Sequence, residues 1–223
     1  MDDRRGPDPA TDVVLDARGL RALAHPVRVQ LLGLLRRHGP STATRLADRT
    51  GLTSGATSYH LRQLAAAGFV EEDTGRGNAR DRWWRSVHRV TRFDDLDLAA
   101  QEPEATLAYL QSVAAAHTLS LQRTLNELPT APRAWQEAFD MSDWALRLTP
   151  EEACALQEEL ASVVARYRQD TPGAAASAPP GAQRVSVVSH LLPELDADGA
   201  DADGADTDEA DTDEAGADAE EES

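Results

Sequence analysis

The chain has 223 residues, with 39 Asp or Glu against 22 basic residues and a formal charge of −17. That length makes one or two domains with enough interior for a packed core. One cysteine, Cys154, excludes a disulfide framework and a four-thiolate zinc site. The N-terminus lacks an apolar leader and no 18 apolar residues run together, so the expectation is a soluble, cytoplasmic protein without a membrane segment.

The charge is unevenly spread. Residues 18–92 carry fourteen Arg against five acids, a net +9 inside an acidic protein, and every base is Arg. Residues 193–223 carry fifteen acids and no base. A basic block embedded in an acidic chain points to a polyanionic partner for that block alone.

Residues 1–15 are polar with two prolines and read as a disordered arm. Leu20, Leu23, Val27, Leu31, Leu34 and Leu35 follow the three-and-four spacing of a buried helix face. Pro26 fits a first helical turn, so the spacing predicts a short helix to Ala24 and a second from Pro26 to His38, stopped by Gly39-Pro40. Ser41 or Thr42 caps a third helix with Leu46 and Ala47 inward, ending at Thr50-Gly51. Thr53 or Ser54 caps a fourth to Ala67, closed by Gly68. The period then changes: strands at Phe69–Glu72 and Asp81–Val87 flank the turn Thr74–Ala79, a hairpin.

Further on, Pro103 opens a helix to Leu128 whose Leu107, Leu110, Ala114, His117, Leu121 and Leu128 form a weak seam suited to packing in a bundle. A short helix at Arg133–Phe139 and a strand at Trp144–Leu148 follow. Thr149-Pro150-Glu151-Glu152 is a strong helix start. Residues 171–192 read as a linker with a strand at Val185–Val188 that pairs with Trp144–Leu148. Residues 193–223 read as a disordered acidic tail, with two roles open: a solubility tail without contact to the domain, or a tethered segment that competes electrostatically with a polyanion for the basic block.

The fold class expected is therefore mainly α with a small β-hairpin wing: a winged helix-turn-helix at 16–92, a helical region for dimerisation or effector sensing at 93–170, then linker and tail. On the fourth helix Thr57, Leu61, Leu64 and Gly68 share the inward face, leaving Gly55, Ser58, Tyr59 and Arg62 outward. Short polar side chains there allow close approach to base edges: Arg62 can bond a guanine bidentately, Ser54 and Ser58 can donate or accept, and Gly55 leaves room for a thymine methyl. Arg76, Arg80, Arg82 and Arg85 crowd the hairpin, where backbone phosphates would fall. Trp83 and Trp84 point to opposite faces of their strand, and one of them packs against the helices.

Residues 18–90 resemble the winged-helix domain of arsenic-repressor-type (ArsR/SmtB-like) transcriptional regulators. The carrying features are Leu23-Ala24-His25-Pro26-Val27-Arg28, Leu46-Ala47, Ser58-Tyr59-His60-Leu61 and Ala67-Gly68-Phe69-Val70. The resemblance implies a homodimer, usually a repressor, that reads double-stranded DNA with the fourth helix. It places Ser54, Ser58, Tyr59 and Arg62 at the bases and Arg80 and Arg82 at the backbone; Thr42 and Arg76 are expected at the backbone as well. His60 matches a family position but lies beside the inward face, where packing is its expected role.

The third helix lacks the thiolates of metal-sensing members, and the six His show no paired ligand spacing, so neither a metal nor a cofactor is expected. Cys154 reads as an inert small residue. No phosphate loop or nucleophile elbow supports an enzyme. The reading is a homodimeric, sequence-specific DNA-binding regulator, open to an unknown small-molecule effector. The alternative is an interaction protein that uses the winged helix and acidic tail to bind protein partners.

Overall fold

A computed structural model describes residues 11–76, 82–170 and 174–194. The expected tip of the hairpin with Arg80, most of the expected N-terminal arm and the acidic tail beyond 194 lie outside the described residues. Contacts divide the chain into two units, residues 1–146 with 169–184, and residues 147–168 with 185–223.

In the first unit, α1 (Ala17–Leu23) and α2 (Pro26–His38) meet at a two-residue turn, with Pro26 at the first position of α2. A two-residue strand, β2 (Ser41–Thr42), leads into α3 (Ala43–Thr50), and Thr42 caps α3 by accepting from the Arg45 amide at 3.3 Å. Gly51, at φ +72°, ends α3 in the left-handed conformation that glycine adopts without strain. Helix α4 (Ser54–Ala66) starts from the Thr53 cap, and Arg18 of α1 donates to the Ala66 carbonyl at its C-terminal end. Strands β3 (Val70–Glu72) and β4 (Trp83–Ser86) form the hairpin, and β2 adds to its other side, giving an antiparallel sheet ordered β2-β4-β3. Its register sets Thr42 opposite Trp83 and Glu72 opposite Trp84.

The core is one cluster built on Leu20, Leu31, Leu35, Leu46, Leu61, Leu64, Phe69 and Trp84. Trp84 is the tryptophan that packs inward; Trp83 is half-buried.

Several elements differ from the sequence reading. Residues Asp12–Val14 are not a disordered arm: they form strand β1, parallel to β5 (Val90–Arg92), with Asp12 and Arg92 paired at 2.9 Å. The cause is Leu15, which is buried in the core and pins the segment through its amide to the Arg92 carbonyl. Beneath this pair Arg36 of α2 donates to the His88 carbonyl at 2.9 Å and the Thr91 hydroxyl at 2.8 Å. Burial lowers the pKa of that guanidinium to about 10, against the opposing influence of Tyr109. Gly68 lies past the end of α4, exposed at φ +83°, and does not share its inward face.

Helix α6 (Pro103–Glu127) follows the short α5 (Leu96–Gln101) and packs on α1 and α2. Its buried residues are Thr106, Tyr109 and Ser112, not the predicted leucine seam. Leu107 and Leu110 stay 57% and 51% exposed, because α6 carries two apolar stripes and the core takes the one on which Tyr109 meets Phe93 edge-on, centroids 6.0 Å apart. Helix α7 (Arg133–Glu137) falls where a short helix is predicted. Neither Trp144–Leu148 nor Val185–Val188 forms a strand: both are irregular and exposed. A pair of short strands with no further strand or covering layer is marginal in water. Within the stretch read as a linker, Ala174–Ser177 form a helical turn, α9.

The second unit contains α8 (Pro150–Ala165), started by the predicted capping box: the Thr149 side chain accepts from the Glu152 amide and the Glu152 carboxylate accepts from the Thr149 amide. Cys154 on α8 is exposed. No helix among the described residues is long and apolar enough to cross a membrane.

The inward face of α4 generates a two-sided stability test. Leu61 has no exposure, so Leu61→Ala is expected to cost about 2–5 kcal/mol in urea denaturation. Thr57 is equally buried, yet its hydroxyl has no hydrogen-bond partner among the described residues. The near-isosteric Thr57→Val removes that unsatisfied group and is expected to gain about 1 kcal/mol. A loss of stability in Thr57→Val would contradict this packing.

Candidate nucleic-acid interface

Two faces of α4 are chemically opposed. Thr57, Leu61 and Leu64 are sealed at 0% exposure, and they fix the rotation of the helix about its axis. At 100° per residue, that rotation brings Gly55, Tyr59 and Arg62 to the outer side, where all three are exposed, with Ser58 half-buried beside them; Ser54, three residues before Thr57, lies nearer the inward side and is exposed because it opens the helix. Tyr59 is 54% exposed despite its aromatic ring. Arg62 makes no hydrogen bond or ion pair among the described residues, so its guanidinium fork is unoccupied by carboxylates. The four-residue turn from Thr50 to Thr53 ties this helix to α3, with Gly51 and Leu52 amides both donating to the Ala47 carbonyl.

The hairpin arginines are placed differently. Arg76 pairs with Asp73 at 3.3 Å, Arg82 with Glu72 at 3.1 Å and Arg85 with Glu71 at 2.7 Å. The register that sets Glu71 opposite Arg85 makes the Arg85 and Arg82 pairs cross-strand neighbours, whereas Arg76 and Asp73 are three residues apart in the turn after β3. The Arg82 and Arg85 pairs are exposed on both sides, and such pairs contribute about 0–1 kcal/mol, so a stronger anion can displace their carboxylates; Asp73, the partner of Arg76, is half-buried. Arg82 also lies over the Trp84 ring at 5.8 Å. The hairpin is thus more nearly neutral than a count of its arginines suggests.

Thr42 is half-buried between β2 and α3; its hydroxyl oxygen accepts from Arg45, leaving the O–H to donate elsewhere. One residue escapes the sequence reading altogether. Arg45, exposed on the first turn of α3, stacks its guanidinium over Trp83 at 4.9 Å. The contact depends on Thr42 facing Trp83 across the sheet, a pairing 41 positions apart in the chain that no local pattern announces. It fixes a cation at the junction of α3, β2 and the hairpin. His60 is half-buried, as packing requires, against His25.

No group of three or more His, Cys, Asp or Glu among the described residues is arranged to hold a metal ion. Among curated proteins none matches the chain. The model of one family, described as a helix-turn-helix domain, matches residues 23–73, from the end of α1 through α2, α3 and α4 to the end of β3. Residues 23–73 are thus similar to a helix-turn-helix domain, an arrangement that in DNA-binding proteins lays its second helix in the major groove.

Proposed function

We propose that the protein is a homodimeric, sequence-specific regulator of transcription that binds duplex DNA, is akin to the arsenic-repressor type without its metal site, and acts as a repressor. The observation that carries this reading is the outer face of α4, where Gly55, Tyr59 and Arg62 are exposed beside a half-buried Ser58, on a helix whose rotation is fixed by a sealed inner face. In this reading Ser54, Ser58, Tyr59 and Arg62 address base edges in the major groove. Thr42, Arg76, Arg80 and Arg82 bear on the backbone, joined by Arg45 from its seat on Trp83. Residues 16–92 are the DNA-binding part, and 93–170 serve dimerisation and effector response.

Dimerisation draws support from the unfilled stripe of α6. Leu107, Leu110, Leu121 and Leu125 are all more than a third exposed, at helical spacing along one element. A stripe of that kind on a helix already packed by its other side is suited to a second copy. A competing reading, an interaction protein that docks other proteins, is favoured by the carboxylate partners of Arg76, Arg82 and Arg85, which reduce the free positive charge of the hairpin.

Selection of binding sites from a randomised duplex library tests the proposal. It is expected to return an inverted repeat with half-sites about one turn (~10 bp) or a multiple apart. Enrichment of no duplex would overturn the DNA reading in favour of protein docking. On the selected duplex, Arg62→Ala is expected to cost about 1–3 kcal/mol and relax one base pair, whereas Arg82→Ala weakens all sequences alike and lowers the salt slope by about one per half-site. Indistinguishable behaviour in a base-by-base panel would refute that division.

The ion pairs supply a prediction of opposite sign. Glu72→Gln frees Arg82 from its carboxylate, so duplex binding at 50 mM salt is expected to tighten about two- to fivefold, the equivalent of an exposed pair. Unchanged or weaker binding would show that Arg82 does not meet phosphate. For the dimer, Leu110→Glu places a charge in the exposed stripe and is expected to shift sedimentation from dimer to monomer with the fold intact. A variant that stays dimeric would locate the interface elsewhere.

A further inference from the structure

Behind the outer face of α4, at the turn between α1 and α2, two imidazoles face each other. The rings of His25 and His60 lie 4.6 Å apart, tilted by 54°. His25 is the cap of α2: its Nδ1 accepts from the Val27 amide at 3.3 Å, which requires a ring with its proton on Nε2. His60 Nδ1 is shielded from solvent and has no hydrogen-bond partner among the described residues. On its other side His60 meets the ring of Tyr59 edge-on at 5.4 Å. Arg28, in the first turn of α2, donates through Nη2 to the Arg21 carbonyl, while its Nε is shielded and unpartnered.

We propose that the His25–His60 pair is a proton switch on the DNA-binding helix, holding α4 against the α1–α2 turn while both rings are neutral and releasing it when the pair is protonated. The inference rests on α4 being the DNA-reading element and adds a mode of regulation to it.

The chemistry runs in one direction. A proton on His25 Nδ1 turns the acceptor of the α2 cap into a donor facing another donor. It also places positive charge at the positive end of the α2 dipole. A proton on His60 adds charge within ring contact of His25. Among the described residues, the charged and titratable groups that act on the pair are Arg28 from α2, with Tyr59 of α4 acting on Arg28 in turn. Arg28 is a permanent cation, and no carboxylate is among these neighbours to offset it.

Burial, and after it the Arg28 charge, holds the His25 pKa below its ordinary value. Burial, then His25 and Arg28, does the same for His60. A base whose folded value is depressed costs nothing above its unfolded value near 6.5. Its contribution to stability is lost as the pH falls from there towards the folded value, because the unfolded chain takes up the proton first. The window is therefore mildly acidic. Tyr59, edge-on to His60 and exposed on the outer face, carries the change from the seat of the helix to its proposed reading surface.

The test uses the full chain and the duplex selected at pH 7.5. From pH 7.5 to 5.5 the wild type is expected to lose about five- to tenfold in affinity, tenfold being the ceiling for one coupled proton whose pKa lies at or below 6.5. The double variant His25→Asn with His60→Gln keeps a capping acceptor and removes both titrations; it is expected to bind normally at pH 7.5 and to lose less than about threefold. Equal or tighter wild-type binding at pH 5.5 would overturn the switch, as would a parallel loss in a folded double variant. If the double variant fails to fold, or if no duplex is selected, NMR titration of the free wild-type protein decides. Both imidazoles titrating below 6.5, with α4 amide shifts following the same midpoint, supports the switch; α4 amides that stay still while the imidazoles titrate overturns it. Failure to select a duplex counts against DNA binding alone, since the NMR titration does not involve DNA.

Discussion

The seat of α4 governs the rest of the molecule. Thr57, Leu61 and Leu64 are closed off from solvent against the α1–α2 core, with Phe69 and Leu46 beside them. Because successive side chains on a helix are 100° apart, a rotation by one residue would bring Tyr59 or Arg62 towards that core and expose a leucine. Burying an arginine without a partner costs several kcal/mol, far more than the helix gains from any surface contact. The apolar seat thus determines which polar side chains face outward. Arg18 at the C-terminal end and the Thr53 cap at the start complete the placement by satisfying helix termini rather than by adding apolar area.

Electrostatics follows from the same frame. The chain as a whole is strongly acidic, yet its helix-turn-helix part is rich in arginine. Three of the hairpin arginines are held by carboxylates of β3 and the residue after it, whereas Arg62 and Arg45 have no ion pair among the described residues. Arg36 is a separate case: a cation under the β1–β5 pair that meets carbonyl and hydroxyl oxygens instead of a carboxylate. It joins α2 to β5, and through the β1–β5 pairing the N-terminal strand is tied to the helices.

Much of this was legible in the sequence because it is local. The helix periods, Pro26 at a first turn, the Thr42, Thr53 and Thr149 caps and the left-handed Gly51 are all set within a few residues. The outward set on α4 follows from period alone once its leucines are assigned inward. What the sequence did not disclose depends on partners far along the chain. Strand β1 exists because Val90–Arg92 lies ready to pair with it, and the Arg45–Trp83 stack because β2 joins the hairpin. The α6 seam is not legible from period because the side that packs on α1 and α2 carries Thr106, Tyr109 and Ser112, with Tyr109 meeting Phe93, while the leucines stay outside. The strands expected at Trp144–Leu148 and Val185–Val188 had β-branched and aromatic residues but no face to bury.

The central claim, that the outer face of α4 is the surface that meets duplex DNA, is tested most directly by amide hydrogen exchange of the full chain with and without the selected duplex. Added protection is expected to concentrate on α4, the first turn of α3 and the hairpin, with the exposed stripe of α6 no more protected than in the free protein. Protection that falls on α6 or α8 while α4 exchanges as it does in the free protein would contradict it.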